Sequence, residues 1–217
     1  MESLLNFINQ NAEQIIQYTI EHIELVSIAI IISILIGVPL GVYLTTNQAL
    51  AETILHLASI IMTIPSIALF GIMIPLLSII DQGIGFLPAL IALILYSQLP
   101  IIRNTYTAIN NVDPKIRDAA KGIGMTTFQR LIRVEIPNGM PLIMAGIRTA
   151  TVLNIGIATI AAFIGSGGIG VLINQGISRS NHTMVLAGAI VVSILAIVAD
   201  LILKFVQVKF TPKGINN

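Results

Sequence analysis

The side chains that could do chemistry are concentrated in one stretch of this chain, positions 117–137, which reads RDAAKGIGMTTFQRLIRVEIP. Its charges and small residues suit contact with another protein, and they do not group a nucleophile with a base and an acid as catalysis requires. Elsewhere the three histidines His22, His56 and His182 lie far apart, there is no cysteine, and no Walker A sequence occurs. The sequence therefore predicts neither a metal site nor a catalytic centre in this chain.

Two short helices must position this stretch. Asp113 followed by Pro114 is typical of a helix start, with the acid as N-cap and proline in the first turn. Gly122 and Gly124 then predict the end of that helix, since glycine tolerates left-handed backbone geometry.

A second short helix follows the glycines. Thr126 or Thr127 can cap it, and its apolar residues continue to about position 134. Pro137 and Pro141 are predicted to stop it before the next apolar segment. The stretch thus predicts a helix–turn–helix.

The composition around this stretch indicates a membrane protein. Of 217 residues, 55% are hydrophobic and only 10% charged, with a mean hydropathy of +0.94, whereas soluble domains carry about 25% charged residues. With a net charge of +1, the chain has no excess of positive charge that would favour binding to nucleic acid.

Five segments are long and apolar enough to cross a bilayer, which takes about 20 residues. They are 25–44, 54–80, 84–102, 140–164 and 183–203. The second contains Pro65, Gly71 and Pro75, where it can tilt or kink. We expect an all-α membrane protein with an amphipathic N-terminal segment (1–22), a transmembrane domain (23–204) and a tail (205–217).

Basic residues set the predicted orientation, because they favour the cytoplasmic side. The loop 103–138 and the segment after the fifth span hold nearly all of them, whereas Arg179 is the one basic residue in the regions assigned outside. We therefore expect the N-terminus outside, the C-terminus inside, and 117–137 in the one long cytoplasmic loop. The acidic segment 1–24 lacks Lys and Arg, so it does not resemble a cleavable signal peptide.

The spacing within this loop resembles the EAA motif of ABC importer permeases, E-A-A-x₃-G-x₉-I-x-L-P. The matching residues, with three conservative substitutions, are Asp118, Ala119, Ala120, Gly124, Val134, Ile136 and Pro137. The resemblance implies a type I importer (MetI-like) fold and a loop that docks on a cytoplasmic ATPase. The expected docking residues are Asp118, Ala119, Ala120, Gly122, Gly124, Phe128, Arg130, Ile136 and Pro137.

The same resemblance implies the partners. They are two ATPase subunits that bind ATP and Mg²⁺, a second permease subunit, identical or homologous, and an extracytoplasmic substrate-binding lipoprotein. This chain itself is expected to bind no cofactor and to be no enzyme.

A narrower resemblance covers about residues 20–205. IPSIALFGIMIPLL (64–77) and GIRTATVLNIGIATIAAFIGSGGIGVLINQGI (146–177) are similar to permeases of osmoprotectant importers of the OpuB/OpuC type. These carry quaternary ammonium compounds such as glycine betaine, carnitine and choline. Such cations are held in aromatic cages, but this chain has no Trp and four Tyr, so we expect high-affinity recognition in the separate binding protein.

Two alternatives stay open. One is an ABC permease for methionine or another small solute. The other is a secondary transporter driven by ion gradients, which would be expected to show midplane ionisable residues or inverted repeats.

Several residues in and beside the fourth span are candidates for the pathway or its outer gate: Asn154, Thr159, Gly165, Gly167, Gly168 and Gly170. The two polar residues could equally join helices. The glycines satisfy G-x-G-x-x-G but follow a span rather than a β-strand, so a dinucleotide site is not predicted. Arg148 is expected to pack against a partner or reach the headgroups, and Asp200 to pair with Lys204 one turn on.

Overall fold

The computed structural model describes residues 2–210, and every regular element in that range is helical. The helices are α1 Glu2–Gln10, α2 Ala12–Leu44, α3 Gln48–Thr63, α4 Ser66–Ser78, α5 Phe86–Asn110, α6 Pro114–Gly122, α7 Thr127–Arg130, α8 Ile136–Ala161, α9 Gly170–Ser178 and α10 His182–Phe210. A π-helical turn, Leu131–Glu135, joins α7 to α8, and a 3₁₀ turn, Ala162–Ile164, follows α8.

Four helical segments are long and apolar enough to cross a membrane: Ala12–Leu44, Phe86–Asn110, Thr127–Ile164 and His182–Lys209. The pair α3–α4 makes a fifth candidate, although it is bent by 100°. Each predicted span overlaps one of these segments. α10 continues to Phe210, beyond the last residue of the fifth predicted span; residues 211–217 lie outside the described part of the chain.

The N-terminal region also differs from the predicted boundary at residue 22. α1 ends at Gln10, and residues 12–22 belong to the same helix as the first predicted span. The buried face of α2 is continuous across that boundary through Ile15, His22 and Leu25. One buried face therefore packs both parts of the helix against the rest of the chain.

The bend between α3 and α4 follows from Pro65. A residue before proline is held in an extended conformation, and Ile64 has a ψ of 126°. Its freed carbonyl accepts a hydrogen bond from the Tyr96 hydroxyl on α5. The break is thus satisfied within the protein, as a lipid environment demands.

The core is built around α5 and α8, which pack against each other and against α2. Small residues allow the close approach: a Cβ on Gly41 would lie 2.7 Å from Thr105, and one on Gly146 would lie 2.7 Å from Asn104. Close backbone contact of this kind is the usual basis of helix association in membranes.

Candidate functional site

The predicted docking stretch begins with a capped helix. The Asp113 carboxylate accepts a hydrogen bond from the Lys115 amide at 2.8 Å, and Pro114 opens α6. Both features were predicted. Asp118, farther along α6, is exposed and pairs with Lys121 one turn on, with Nζ and Oδ1 3.1 Å apart. The Asp118 side chain is still mostly exposed, so a partner can contact it.

The turn after α6 is a Schellman motif. The Met125 amide donates to the Ala120 carbonyl at 3.1 Å, and the Gly124 amide donates to the Lys121 carbonyl at 2.9 Å. Gly124 has a φ of 80°, the left-handed geometry that this motif needs. A Cβ on Gly122 or Gly124 would meet nothing within 4 Å, so both glycines face open space.

The second helix starts at a capping box. The Thr126 hydroxyl accepts from the Gln129 amide at 3.2 Å, while the Gln129 side chain accepts from the Thr126 amide at 3.0 Å.

The predicted stop at Pro137 and Pro141 is wrong. α7, the π turn and α8 form one helical segment, Thr127–Ile164. Pro137 lies in the first turn of α8, directly after a π turn in which the Ile136 amide donates to the Leu131 carbonyl five residues back. The wider turn accommodates a residue without an amide donor. The loop is thus joined to the membrane by a helix.

Apolar and small residues share the outer face of the loop. Ile123 is 74% exposed and lies between Gly122 and Gly124 in the turn, and Phe128 on α7 is 70% exposed. Of the predicted docking residues, Asp118, Ala119, Gly122, Gly124 and Phe128 are exposed, whereas Ala120, Arg130, Ile136 and Pro137 are partly or fully buried. We call the surface formed by the exposed residues the outer face; its residues are Asp118, Ala119, Gly122, Ile123, Gly124 and Phe128.

One residue of this region was not predicted. Glu135 is 6% exposed, and its Oε1 accepts a hydrogen bond from Arg130 Nε at 2.9 Å. Arg130 is therefore turned inward, away from the outer face. Arg130 and Glu135 are both visible in the sequence, but their spacing of five residues does not predict a contact, because residues five apart do not face each other on an α-helix.

At the opposite end of the spans, a glycine loop joins the 3₁₀ turn to α9. Gly165, Gly167 and Gly168 all have φ between 78° and 81°. The Gly168 amide donates to the Glu21 carboxylate on α2 at 2.9 Å. The loop is also tied to the α4–α5 connection, since the Gly85 amide donates to the Ile164 carbonyl at 2.8 Å.

Of the remaining candidate pathway residues, Asn154 and Gly170 are buried and Thr159 is half-buried. Asn154 is completely buried, and its amide donates to Ser97 on α5 at 2.8 Å. Thr159 bonds the carbonyl of Gly156 in its own helix. A Cβ on Gly170 would lie 2.1 Å from the Thr159 carbonyl, so Gly170 serves helix packing. For Asn154, the structure favours the helix-joining alternative.

The expected pair of Asp200 with Lys204 is wrong, because Asp200 pairs with Arg148 instead. The Arg148 guanidinium on α8 donates from Nε and Nη2 to the two Asp200 carboxylate oxygens on α10, both at 2.9 Å. Its Nη1 donates to Gln207 at 2.9 Å. A planar guanidinium matches a carboxylate in this bidentate way, which a lysine one turn along the same helix cannot reproduce. No ion pair of Lys204 occurs within residues 2–210.

Comparisons with known proteins agree along nearly the whole chain. A family model, the binding-protein-dependent transport system inner membrane component, matches residues 33–212. The osmoprotectant import permease protein OsmW of Salmonella typhimurium is 51% identical over 97% of this chain and 98% of its own. The choline transport system permease protein OpuBB of Bacillus subtilis is 44% identical, over 99% and 96%.

Solved structures agree in fold. A chain of the MetNI methionine ABC transporter, in an inward-facing conformation, superposes with a TM-score of 0.81 over 91% of this chain and 96% of its own, at 21% identity. A chain of an amino acid ABC transporter solved with histidines gives 0.78 over 95% and 98%, at 16% identity. At these identities the likeness concerns the fold alone.

Proposed function

The chain belongs to the family of binding-protein-dependent transport system inner membrane components, and on that premise we propose that its solutes are osmoprotectants of the quaternary ammonium class. It is a permease subunit of an ABC importer, with the predicted all-α type I importer fold, in the bacterial cell membrane. It is not an enzyme, because in this family the ATPase is a separate subunit.

One observation carries the solute assignment. Relatives named for osmoprotectant, choline and glycine betaine/carnitine/choline transport are 42–51% identical to this chain over nearly its full length. The methionine and amino acid transporters share the fold at 16–22% identity.

We propose that the outer face docks on the ATPase. Ile123 and Phe128 would insert side chains into a groove of the partner, while Ala119, Gly122 and Gly124 allow its backbone to approach closely. Exposed apolar side chains at the centre of an interface, surrounded by polar residues, are the typical source of binding energy. Asp118 and Lys121 lie beside these residues and would form the polar rim.

The assembly follows from the same family logic. We propose two permease subunits, identical or homologous, two cytoplasmic ATPase subunits that alone bind ATP and Mg²⁺, and an extracytoplasmic binding protein that delivers the solute. The loop 103–138 and the C-terminus lie on the ATPase side, as the basic residues indicate. The transmembrane domain would extend over 23–204.

Uptake measurements test the solute assignment. The complex, reconstituted with its ATPase and binding protein, should accumulate labelled glycine betaine, carnitine or choline, and an excess of methionine should leave uptake unchanged. Competition by methionine, with none by the quaternary ammonium compounds, would overturn the assignment.

A glycine substitution tests the docking. Gly122→Leu places an apolar side chain on the outer face without backbone strain, since no positive φ occurs there. We expect ATPase affinity to fall about tenfold or more, which corresponds to about 1.4 kcal/mol. The matched control is Gly71→Leu on α4, which also has nothing within 4 Å of its Cβ. Equal capture of the ATPase by both variants would contradict docking at this face.

A further inference from the structure

A buried carboxylate lies where the docking helices meet the membrane. Glu135 ends the π turn between α7 and α8 and is 6% exposed. Among the side chains that the structure describes, it is the one buried carboxylate. Burying a carboxylate costs free energy unless partners compensate for the lost hydration, so its position demands an explanation.

Two arginines surround this carboxylate. Arg130 Nε on α7 donates to Oε1 at 2.9 Å, and Arg117 Nε on α6 lies 3.3 Å from the same oxygen. The Arg117 guanidinium also donates through Nη2 to the Ile109 carbonyl near the end of α5. A single carboxylate therefore connects both docking helices, and through Arg117 the cluster reaches α5.

The π turn makes this cluster possible. On an α-helix, side chains three or four residues apart are neighbours, whereas those five apart point in different directions. Arg130 and Glu135 are five apart and yet hydrogen-bonded. The wider turn, with its five-residue hydrogen bond to Leu131, brings them to one side. Local departures of this kind are frequent at functional sites.

The cluster and the outer face are chemically separate. The side chains of Ile123 and Phe128 are 74% and 70% exposed, whereas Glu135 is buried. A neutral side chain at position 135 would therefore change none of the exposed residues, but it would remove the charge that joins Arg117 on α6 to the helix of α7 and α8.

We propose that Glu135 is a positioning residue that fixes α6 to the continuous helix of α7 and α8, and through Arg117 to α5, so that movement of a docked ATPase reaches the membrane. Without the Glu135 carboxylate, α6 would move with the docked ATPase while the membrane-spanning helices would not follow. This inference rests on the proposed docking of an ATPase at the outer face.

The first test measures coupling in the reconstituted complex. Glu135→Gln should retain ATPase capture and ATP hydrolysis, while the solute transported per ATP hydrolysed falls about tenfold, within the range seen for residues that carry coupling. The control is Glu52→Gln on α3, an exposed carboxylate whose hydrogen-bond donor is Gln48 of the same helix. An unchanged ratio in Glu135→Gln, whether or not capture falls, would overturn the proposal.

The second test needs no ATPase, so its outcome does not depend on the docking proposal. The chain has no cysteine, which allows spin labels at Ile123→Cys on the turn and Thr46→Cys after α2. The distance distribution between them should be narrow in the parent and in Glu52→Gln, and clearly broader in Glu135→Gln. Equal widths in all three would show that Glu135 does not position the loop.

Discussion

The Arg148–Asp200 pair gives the sharpest stability prediction, because the sequence and the structure assign Asp200 different partners. Asp200→Asn keeps the shape of the side chain but leaves the Arg148 guanidinium without its counter-charge. We expect this change to destabilise the protein as much as Arg148→Met does. Lys204→Met, which removes the partner suggested by helical spacing, should have little effect.

The magnitude follows from geometry and exposure. Breaking a buried ion pair costs about 3–5 kcal/mol, whereas exposed pairs contribute about 0–1 kcal/mol. The pair is bidentate, with two contacts of 2.9 Å, but the side chains are 24% and 36% exposed. An intermediate value of about 2 kcal/mol is therefore expected. In a chain of this length that lowers the melting temperature by about 4–8 °C.

The assay is a double-mutant cycle in detergent. The protein lacks tryptophan, so melting is followed by the fraction that stays monodisperse in size-exclusion chromatography after heating. Arg148→Met and Asp200→Asn together should cost about as much as either alone, a coupling of about 2 kcal/mol. If the coupling appears instead between Asp200 and Lys204, and Arg148 shows none, the reasoning from the structure is refuted.

Three further predictions use the same melting assay. Gly146→Ala should destabilise by about 1–3 kcal/mol, because its Cβ would lie 2.7 Å from atoms of α5; Gly156→Ala, with open space around it, should be neutral or slightly stabilising, and equal effects would contradict the packing. Gly168→Ala should cost about 1–2 kcal/mol because its φ is 80°, and no loss would mean that the loop adopts another backbone conformation. Asn154→Ala and Ser97→Ala should show a coupling of about 0.6 kcal/mol, typical of membrane hydrogen bonds; simple additivity would argue against the interhelical bond.

The sequence predicts the fold class, because apolar segments of span length are read directly from composition. It also predicts the local chemistry of the docking loop: Asp113 as a cap, a glycine turn at Gly122 and Gly124, and a second cap at Thr126 or Thr127, of which the structure uses Thr126. These signals are local, since each concerns atoms within a few residues. They need no knowledge of the tertiary structure.

The failures arise where a turn departs from α-helical geometry or where the partner is distant in sequence. Proline lacks an amide donor, so the sequence predicts a stop at Pro137, but a π turn accommodates it, and such a turn has no simple sequence signature. Helical spacing pairs Asp200 with Lys204, whereas its partner is 52 residues away on another helix. The family resemblance places Arg130 on the docking surface, but Glu135 turns it inward.

The continuity of Thr127–Ile164 has a mechanical consequence. This helix packs closely on α5 over about two turns, since a Cβ on Gly139 would lie 3.1 Å from Ala108 and one on Gly146 would lie 2.7 Å from Asn104. At 1.5 Å per residue, the part of the helix from Thr127 to Gly139 is about 18 Å long and the part from Gly146 to Ile164 about 27 Å. A tilt about this contact region would therefore turn about 2 Å at the docking end into about 3 Å at the far side of the membrane. The far end of the helix therefore moves farther than the docking end, with a smaller force.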